Sequence, residues 1–121
     1  GLVYTADGMR RFVTEIGLAR ARELFLTGRP FDARHALDIG LVNHVVSAEE
    51  LLPFANRLAA AVAANAPIAV EGMRVVLRAV AEDDAAEAKA QQWRSKAFGS
   101  ADLPEGLAAT RERRPPDFGG R

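Results

Sequence analysis

Apolar residues recur along this chain at helical spacing, and short turn signals separate one apolar stripe from the next. The first stripe fits a helix that ends at Gly17 and consists of Met9, Phe12, Val13 and Ile16. A second helix is predicted from Leu18, and Gly28 ends it because glycine readily adopts the left-handed conformation of a helix C-cap. Pro30 then prevents the helix from resuming.

The stretch from Leu18 to Val46 is the part around which the predicted domain is organised. After the stop at Gly28, Asp32 is a good N-cap for a short helix that ends at Gly40. The apolar pairs that follow within residues 41–46 form at most one short strand. Ahead of this stretch, Gly1–Gly8 is predicted to be extended, with a turn at its Ala-Asp-Gly end.

The middle of the chain predicts two long apolar helices separated at Pro67. Ser47 and Glu50 fit a capping box, and we expect Pro53 to shift the first turn to about Leu52. The apolar stripe of the first of these helices comprises Leu51, Phe54, Ala55, Leu58, Ala61 and Val62. The predicted buried face of the second comprises Ala69, Met73, Val76, Leu77 and Val80.

The last third predicts a helix closed by Gly99, then a capping box formed by Asp102 and Glu105, then a final helix that stops before Pro115. The residues after Pro116 are expected to be a flexible tail. The fold class is therefore mainly α, with about seven helices and at most one or two short strands. Because many of the helices are short and rich in alanine, the core is thin, and a partner surface would help to bury it.

Composition narrows the functional classes. Sixteen basic and sixteen acidic side chains cancel, so electrostatics gives no reason to expect nucleic acid or a membrane as a partner. The absence of cysteine excludes disulfides, thiolate metal sites and a cysteine nucleophile. No signal peptide is apparent, and the expected location is the cytoplasm. The opening apolar run, which lacks an initiator methionine, suggests a fragment of a longer protein.

Few residues are candidates for metal binding or acid/base catalysis. His35 and His44 are expected to lie at the surface, and their spacing indicates no metal site. The acidic pairs Glu49-Glu50 and Asp83-Asp84 lie at predicted helix starts, where the helix dipole favours negative charge, so a solvated cap is the preferred interpretation over an acid/base pair. Asp7 lies in a turn after an extended run, where catalytic groups often occur, but an Asx-type turn before Gly8 is the preferred interpretation.

Four blocks of the sequence together resemble the C-terminal part of the crotonase superfamily, the enoyl-CoA hydratase/isomerase family. The first block is Gly17–Arg29, GLARARELFLTGR, and the second joins Ala33 and Ala36 to GLVN and Val45-Val46. The third is Ala66-Pro67 with Ala69. The last contains Asp102, Glu105-Gly106 and Glu112-Arg113-Arg114 before Pro116 and Phe118. Their order and spacing match across nearly the whole chain.

The resemblance implies a crotonase-like α/β fold, of which this chain holds the C-terminal helical region. Residues 1–17 would be the end of the spiral core and the pocket loop. Residues 18–121 would be the helical region used for oligomer contacts and as a lid of the acyl-CoA pocket. Hydration or isomerisation of an enoyl-CoA thioester is the activity implied, through an enolate stabilised by an oxyanion hole.

The family's oxyanion-hole segments and both hydratase glutamates would lie before Gly1, so this chain alone is expected to be inactive. Thr5 matches a position where some isomerase relatives carry an acidic residue, and threonine is no proton carrier at neutral pH. Asp7, two residues on, could replace it only in a rearranged loop. Thr5 and Asp7 are therefore weak catalytic candidates.

The substrate-binding residues that the resemblance implies are Arg113, Tyr4, Trp93 and Phe98. Arg113 matches a family lysine that contacts the phosphate of coenzyme A, although a solvated, basic helix end with Arg111 and Arg114 explains the same residues. Tyr4 lies in the pocket loop, and Trp93 and Phe98 would cover the acyl pocket or pack in the core. No cofactor is implied beyond the coenzyme A of the thioester, and the expected assembly is a homotrimer or hexamer. The alternative is a catalytically silent helical module that serves oligomerisation.

Overall fold

The computed structural model describes residues 1–82 and 84–121 of the 121-residue chain. Within these ranges the regular structure is helical, and no strand occurs, which confirms the prediction of a mainly α chain. The helices are α1 (Ala6–Thr27), α2 (Ala33–Asp38), α3 (Ala48–Ala63), α4 (Pro67–Glu82), α5 (Ala86–Phe98) and α6 (Asp102–Glu112).

Helix α1 is broken where the sequence predicted a stop. Gly17 leaves the helical region with φ 79° and ψ 158°, a conformation that is open almost only to glycine. The C-terminal end of α1 also follows the prediction, because Gly28 is left-handed and donates its N–H to the Leu24 carbonyl at 3.2 Å.

The predicted turn at Ala6–Gly8 is wrong, because these residues form the first turn of α1. Thr5 is the N-cap, and its hydroxyl accepts a hydrogen bond from the Gly8 N–H at 3.2 Å. The capping hydroxyl thus starts the helix at the point where the Asp-Gly pair suggested a turn.

Helix α2 forms as predicted. The Asp32 carboxylate accepts from the His35 N–H at 2.8 Å, which caps the helix, and Gly40 follows its end with a positive φ of 81°. The possible strand within residues 41–46 does not form, since the described residues contain no strand with which it could pair.

Helix α3 begins earlier than predicted. The Ser47 hydroxyl accepts from the Glu50 N–H at 3.3 Å, so the helix starts at Ala48. Pro53 therefore lies inside the helix, where it lacks a donor for the helical ladder. No residue of α3 is fully buried in this chain.

Helices α4 and α5 pack closely through a small residue. An added Cβ at Gly72 would lie 3.0 Å from the Trp93 Cβ, so the two backbones approach as closely as glycine allows. The predicted buried face of α4 is wrong in large part: Met73, Leu77 and Val80 are exposed, and Gly72 and Ala79 are the buried residues. Apolar periodicity indicates the apolar face of α4, but α4 packs against α5 through the small residues beside that face.

The capping box predicted at the start of α6 is also wrong. The N-cap is Ala101, which makes no side-chain capping bond, and the Asp102 carboxylate instead accepts from the Gly119 and Gly120 N–H groups at 2.8 and 3.0 Å. The Ala101 N–H donates to the Arg121 carbonyl at 2.6 Å. The tail that was expected to be flexible is therefore bound along α6.

The chain divides into two compact units, Gly1–Leu51 and Leu52–Arg121. In the part of the chain that the structure describes, no single helix is long and apolar enough to cross a membrane. The bent pair formed by α3 and α4 meets that length and composition requirement only when the two helices are taken together.

Candidate functional site

The two weak catalytic candidates lie at the N-terminal end of α1, and each is occupied locally. The Thr5 hydroxyl oxygen caps the helix, as described above. The Asp7 carboxylate pairs with the Arg10 guanidinium at 3.2 Å, and its side chain is 86% exposed. Such an exposed ion pair between residues three positions apart is typical of a solvated helix surface.

Tyr4 belongs to an aromatic cluster in the first unit. Its ring lies 5.2 Å from that of Phe25 in an edge-to-face arrangement, and the Phe12 ring lies 5.0 Å from Phe25 on a similar geometry. Such pairs favour a fixed ring orientation. Tyr4 remains 52% exposed, so one side of its ring is open to a ligand or partner.

An open groove of about 500 Å³ lies in the same unit, between the C-terminal half of α1 and the segment leading into α2. Phe31 and His35 line it with their rings 5.8 Å apart, and the Arg20 guanidinium donates to the Ile39 carbonyl at 3.2 Å at its edge. His35 thus lies at the surface, as the sequence indicated.

In the second unit, Trp93 lines an apolar groove of about 440 Å³ between α4 and α5. The Lys96 ammonium lies 4.7 Å from the centre of the Trp93 ring system, within cation–π distance. Met73 and Leu77 form the outer rim, and both are more than half exposed. Trp93 therefore combines a packed edge against Gly72 with an accessible apolar surface.

Phe98 lines a different groove of the same unit, with a volume of about 380 Å³. Leu103 and Leu107 of α6 form one wall, and Phe118 from the C-terminal tail closes it by lying against Gly106. The structure therefore places Trp93 and Phe98 in two grooves, although both belong to α5.

Arg113, the residue matched to a phosphate contact, lines neither groove. It forms the C-cap of α6 with φ 53° and ψ 41°, a left-handed conformation that is uncommon outside glycine. Its side chain is exposed, and within residues 1–82 and 84–121 its guanidinium has no hydrogen bond or ion pair. Arg113 is accordingly available to an external anion.

The next residue, Arg114, binds two carboxylates. Its guanidinium binds both carboxylate oxygens of Glu105 at 2.6 and 2.9 Å and one oxygen of Glu112 at 2.6 Å. The Asp117 N–H also donates to Glu105, at 2.8 Å. Because Arg114 and the Asp117 N–H both bind the charged carboxylate, they lower the pKa of Glu105 to about 2. We call this arrangement of Glu105, Arg114, Glu112 and Asp117 the tail clasp.

The other acidic groups that the sequence singled out have local partners. The pKa of Glu49 is lowered by hydrogen bonds from its own backbone N–H and from Ser47, which fits a solvated helix cap. Asp84 pairs with Lys89 at 2.6 Å, and Asp83 lies outside the described residues. No group of three or more potential metal ligands occurs in the described part of the chain.

The tail clasp is the feature that sequence reasoning missed. Glu105 was interpreted as part of a capping box and Arg114 as part of a solvated basic helix end. The available signal was Pro115, which disfavours a helical conformation at Arg114; the left-handed turn at Arg113 then brings Arg114 back beside the first turn of α6. Without that turn, the nine-residue separation of Glu105 and Arg114 matches no helical pairing rule.

Comparison with known proteins identifies what the whole chain is similar to. The family model described as enoyl-CoA hydratase/isomerase matches residues 1–121. The methylmalonyl-CoA decarboxylase of Escherichia coli is 32% identical over 99% of this chain and 48% of its own length. The carnitinyl-CoA dehydratase of Proteus mirabilis is 33% identical over 100% of this chain and 49% of its own length.

Solved structures give the same result. The crystal structure of an enoyl-CoA hydratase from Bacillus anthracis superposes with a TM-score of 0.90 at 31% identity, covering 100% of this chain and 48% of that one. The chain therefore spans about half the length of the relatives it matches, and it does so without a gap in coverage at either end of the 121 residues.

Proposed function

This chain belongs to the enoyl-CoA hydratase/isomerase family, and on that premise we propose that it is the C-terminal part of an enzyme that processes acyl-CoA thioesters. Its share of the work is substrate binding and assembly. The oxyanion hole and the acidic residues that move protons belong to a part of the enzyme that these 121 residues do not contain.

The observation that carries this proposal is the contrast among the relatives. The names of the decarboxylase, the dehydratase and the hydratase give different reactions. All three names nevertheless contain a coenzyme A thioester. The stretch that they share with this chain is therefore best assigned to what the reactions have in common, which is binding of the coenzyme A thioester. The choice of reaction then depends on residues elsewhere.

Arg113 is the proposed contact for a phosphate of coenzyme A. Its guanidinium is exposed and without a partner in the described residues, and arginine can donate two parallel hydrogen bonds to phosphate oxygens. Tyr4, Trp93 and Phe98 are proposed to contact the acyl chain or cover its pocket, since each presents an accessible aromatic face.

The chemical step proposed for the complete enzyme is hydration or isomerisation of an enoyl-CoA through an enolate whose negative oxygen is stabilised by backbone N–H donors. No cofactor is required beyond the coenzyme A of the substrate. A homotrimer or hexamer in the cytoplasm is the assembly and location we propose. Thr5 and Asp7 remain minor candidates for a role at the pocket edge.

A second candidate function, a catalytically silent assembly module, is favoured by the apolar surface of the second unit. Leu52 is 72% exposed and Leu77 is 71% exposed, and large aliphatic side chains at that level of exposure favour association. Light scattering separates the two possibilities: a stable, well-folded monomer would contradict the assembly module.

The test of the binding role compares coenzyme A with pantetheine, which lacks its phosphates. Titration calorimetry on the complete enzyme containing this chain should show that Arg113→Ala weakens coenzyme A binding by about tenfold, the loss expected for one charge-assisted contact. Pantetheine affinity should be unchanged. Equal coenzyme A affinity in the variant and the wild type would contradict the assignment of Arg113.

A further inference from the structure

The backbone conformation of Arg113 has to be held by its surroundings. A left-handed conformation costs a residue with a Cβ about 1–2 kcal/mol relative to a helical one. The Arg113 N–H donates to the Ala109 and Thr110 carbonyls, the latter at a long 3.4 Å, and the Arg114 N–H donates to the Ala109 carbonyl at 3.0 Å. These backbone bonds close the turn, and the side chains on either side of Arg113 hold it further.

Both chain neighbours of Arg113 belong to the tail clasp. On one side, Glu112 accepts a hydrogen bond from the Arg114 Nε at 2.6 Å. On the other side, Arg114 is gripped by both oxygens of Glu105 and also donates to the Pro115 carbonyl at 3.1 Å. Within Glu112–Arg114, Arg113 is therefore the residue whose side chain the clasp does not use.

The two arginines consequently have different tasks although they are adjacent. The Arg114 guanidinium donates three hydrogen bonds to carboxylate oxygens and one to the Pro115 carbonyl, so turning it toward an external anion would break the clasp. Arg113, left-handed and adjacent to the clasp, projects from a turn whose geometry the clasp determines. Arginine side chains lose much conformational entropy when they bind, so a fixed starting backbone matters for the affinity.

We propose that Glu105 and Arg114 are positioning residues that hold Arg113 for contact with the phosphate of coenzyme A. The proposal rests on the proposed function, because it assumes the Arg113–phosphate contact that was proposed there. Neither Glu105 nor Arg114 touches the ligand. Their effect on binding is transmitted through the turn that contains Arg113.

The proposal makes a prediction whose sign is opposite to that of simple electrostatics. Glu105→Gln removes a negative charge near the phosphate site, so an effect of charge alone would tighten binding of the anionic ligand. If Glu105 positions Arg113, the same substitution weakens binding, because Arg114 loses its bidentate partner and the turn is released. A change in local charge and a loss of positioning would therefore change the affinity for coenzyme A in opposite directions.

The experiment measures affinities of the complete enzyme for coenzyme A and for pantetheine by titration calorimetry. The variants are Glu105→Gln, Arg114→Lys, Arg113→Ala and the double variant Glu105→Gln/Arg113→Ala. The matched control is Glu71→Gln, because Glu71 also binds an arginine through both oxygens, with Arg74 at 2.6 and 3.0 Å, and its side chain is 46% exposed.

The expected result for Glu105→Gln is about three- to tenfold weaker binding of coenzyme A, somewhat less than the loss of the contact itself. Pantetheine affinity stays at the wild-type value, which shows that the variant is folded. Arg114→Lys behaves similarly, since lysine keeps the charge but loses the fork. Glu105→Gln has no further effect once Arg113 is alanine, and Glu71→Gln leaves both affinities unchanged.

Two outcomes would overturn the proposals separately. If Arg113→Ala weakens coenzyme A binding but Glu105→Gln and Arg114→Lys leave it equal or tighter, the positioning role is wrong and the phosphate contact stands. If Arg113→Ala itself has no effect, the phosphate contact is wrong, and the positioning role is wrong with it. A loss of pantetheine binding equal to the loss of coenzyme A binding in Glu105→Gln would show a general structural defect and would likewise overturn the positioning role.

Discussion

The rings of Phe12 and Phe25 lie 5.0 Å apart and nearly perpendicular, at an interplanar angle of 84°, although both belong to helix α1. In an uninterrupted helix, residues thirteen positions apart would be separated by about 20 Å along the axis. The contact exists because the chain leaves the helical conformation at Gly17 and folds back. The break at Gly17 therefore allows the aromatic cluster of Phe12, Phe25 and Tyr4 to form.

Substitution of Gly17 should destabilise the first unit. Its φ of 79° and ψ of 158° are accessible almost only to glycine, so Gly17→Ala and Gly17→Asn should each cost about 1–3 kcal/mol. Gly28→Asn is the matched control, because the φ of 57° and ψ of 18° at Gly28 lie in the left-handed region that asparagine tolerates. Urea unfolding followed by circular dichroism measures the difference, and equal stability of Gly17→Asn and the wild type would refute the explanation.

Substitution of Gly72 should separate α4 from α5. An added Cβ would lie 3.0 Å from the Trp93 Cβ and 3.2 Å from its ring, so Gly72→Ala forces the helices apart at a cost of about 1–3 kcal/mol. Since Trp93 is the only tryptophan, its fluorescence reports the change directly. Gly99→Ala, whose Cβ would meet its nearest atom at an ordinary 3.6 Å, serves as the control and should leave the emission spectrum unchanged.

The tail clasp should make stability depend on pH in the acidic range. The pKa of Glu105 is lowered from 4.5 to about 2 in the folded chain, first by its hydrogen bonds with Arg114 and then by the Asp117 N–H. A carboxyl group whose pKa is lowered on folding contributes stability that is fully present above its unfolded value and is lost as the pH falls toward the folded value. The stability advantage of the wild type over Glu105→Gln should therefore be constant near pH 6–7 and shrink between about pH 4.5 and 2.

Denaturant titrations at several pH values measure that advantage. If the stability difference between wild type and Glu105→Gln stays constant down to pH 2, folding does not lower the pKa of Glu105, and the clasp is contradicted.

Removal of the Asp102 carboxylate should release the C-terminal tail. Asp102 is only 4% exposed and accepts hydrogen bonds from the Gly119 and Gly120 N–H groups, so Asp102→Ala should cost about 1–3 kcal/mol. Amide hydrogen exchange at these two glycines should accelerate well before the rest of the chain unfolds. Asp7→Ala, which removes an exposed ion pair, is the control and should change stability by less than about 1 kcal/mol.

The features that could be predicted from the sequence are those determined by neighbouring residues. Glycine at helix ends, the Asp32 cap and the break at Pro67 all follow from local backbone preferences, and the structure has each of them. The start of α3 was misplaced because the Ser47 cap outweighs the cost of having Pro53 inside the helix.

The features that could not be predicted depend on residues distant in sequence. Asp102 and Glu105 have the spacing of a capping box, but their carboxylates bind the tail seventeen and twelve residues away. The apolar face of α4 was recognised correctly as apolar, and its exposure could not be foreseen because apolar periodicity does not say which chain provides the cover. Helix periodicity places Trp93 and Phe98 on different faces of α5, but it does not encode the Phe118 side chain from the tail, which lines the groove of Phe98.

The central proposal is that these 121 residues contribute substrate binding and assembly but not the chemical step of the family. The most direct measurement is the hydration of crotonyl-CoA by the purified chain, alone and after addition of the segment that completes the fold. The reaction is monitored by the loss of absorbance of the conjugated enoyl thioester. We expect no hydration above the uncatalysed rate for the chain alone, and hydration or another family reaction for the completed enzyme. Turnover by the isolated chain would contradict the claim.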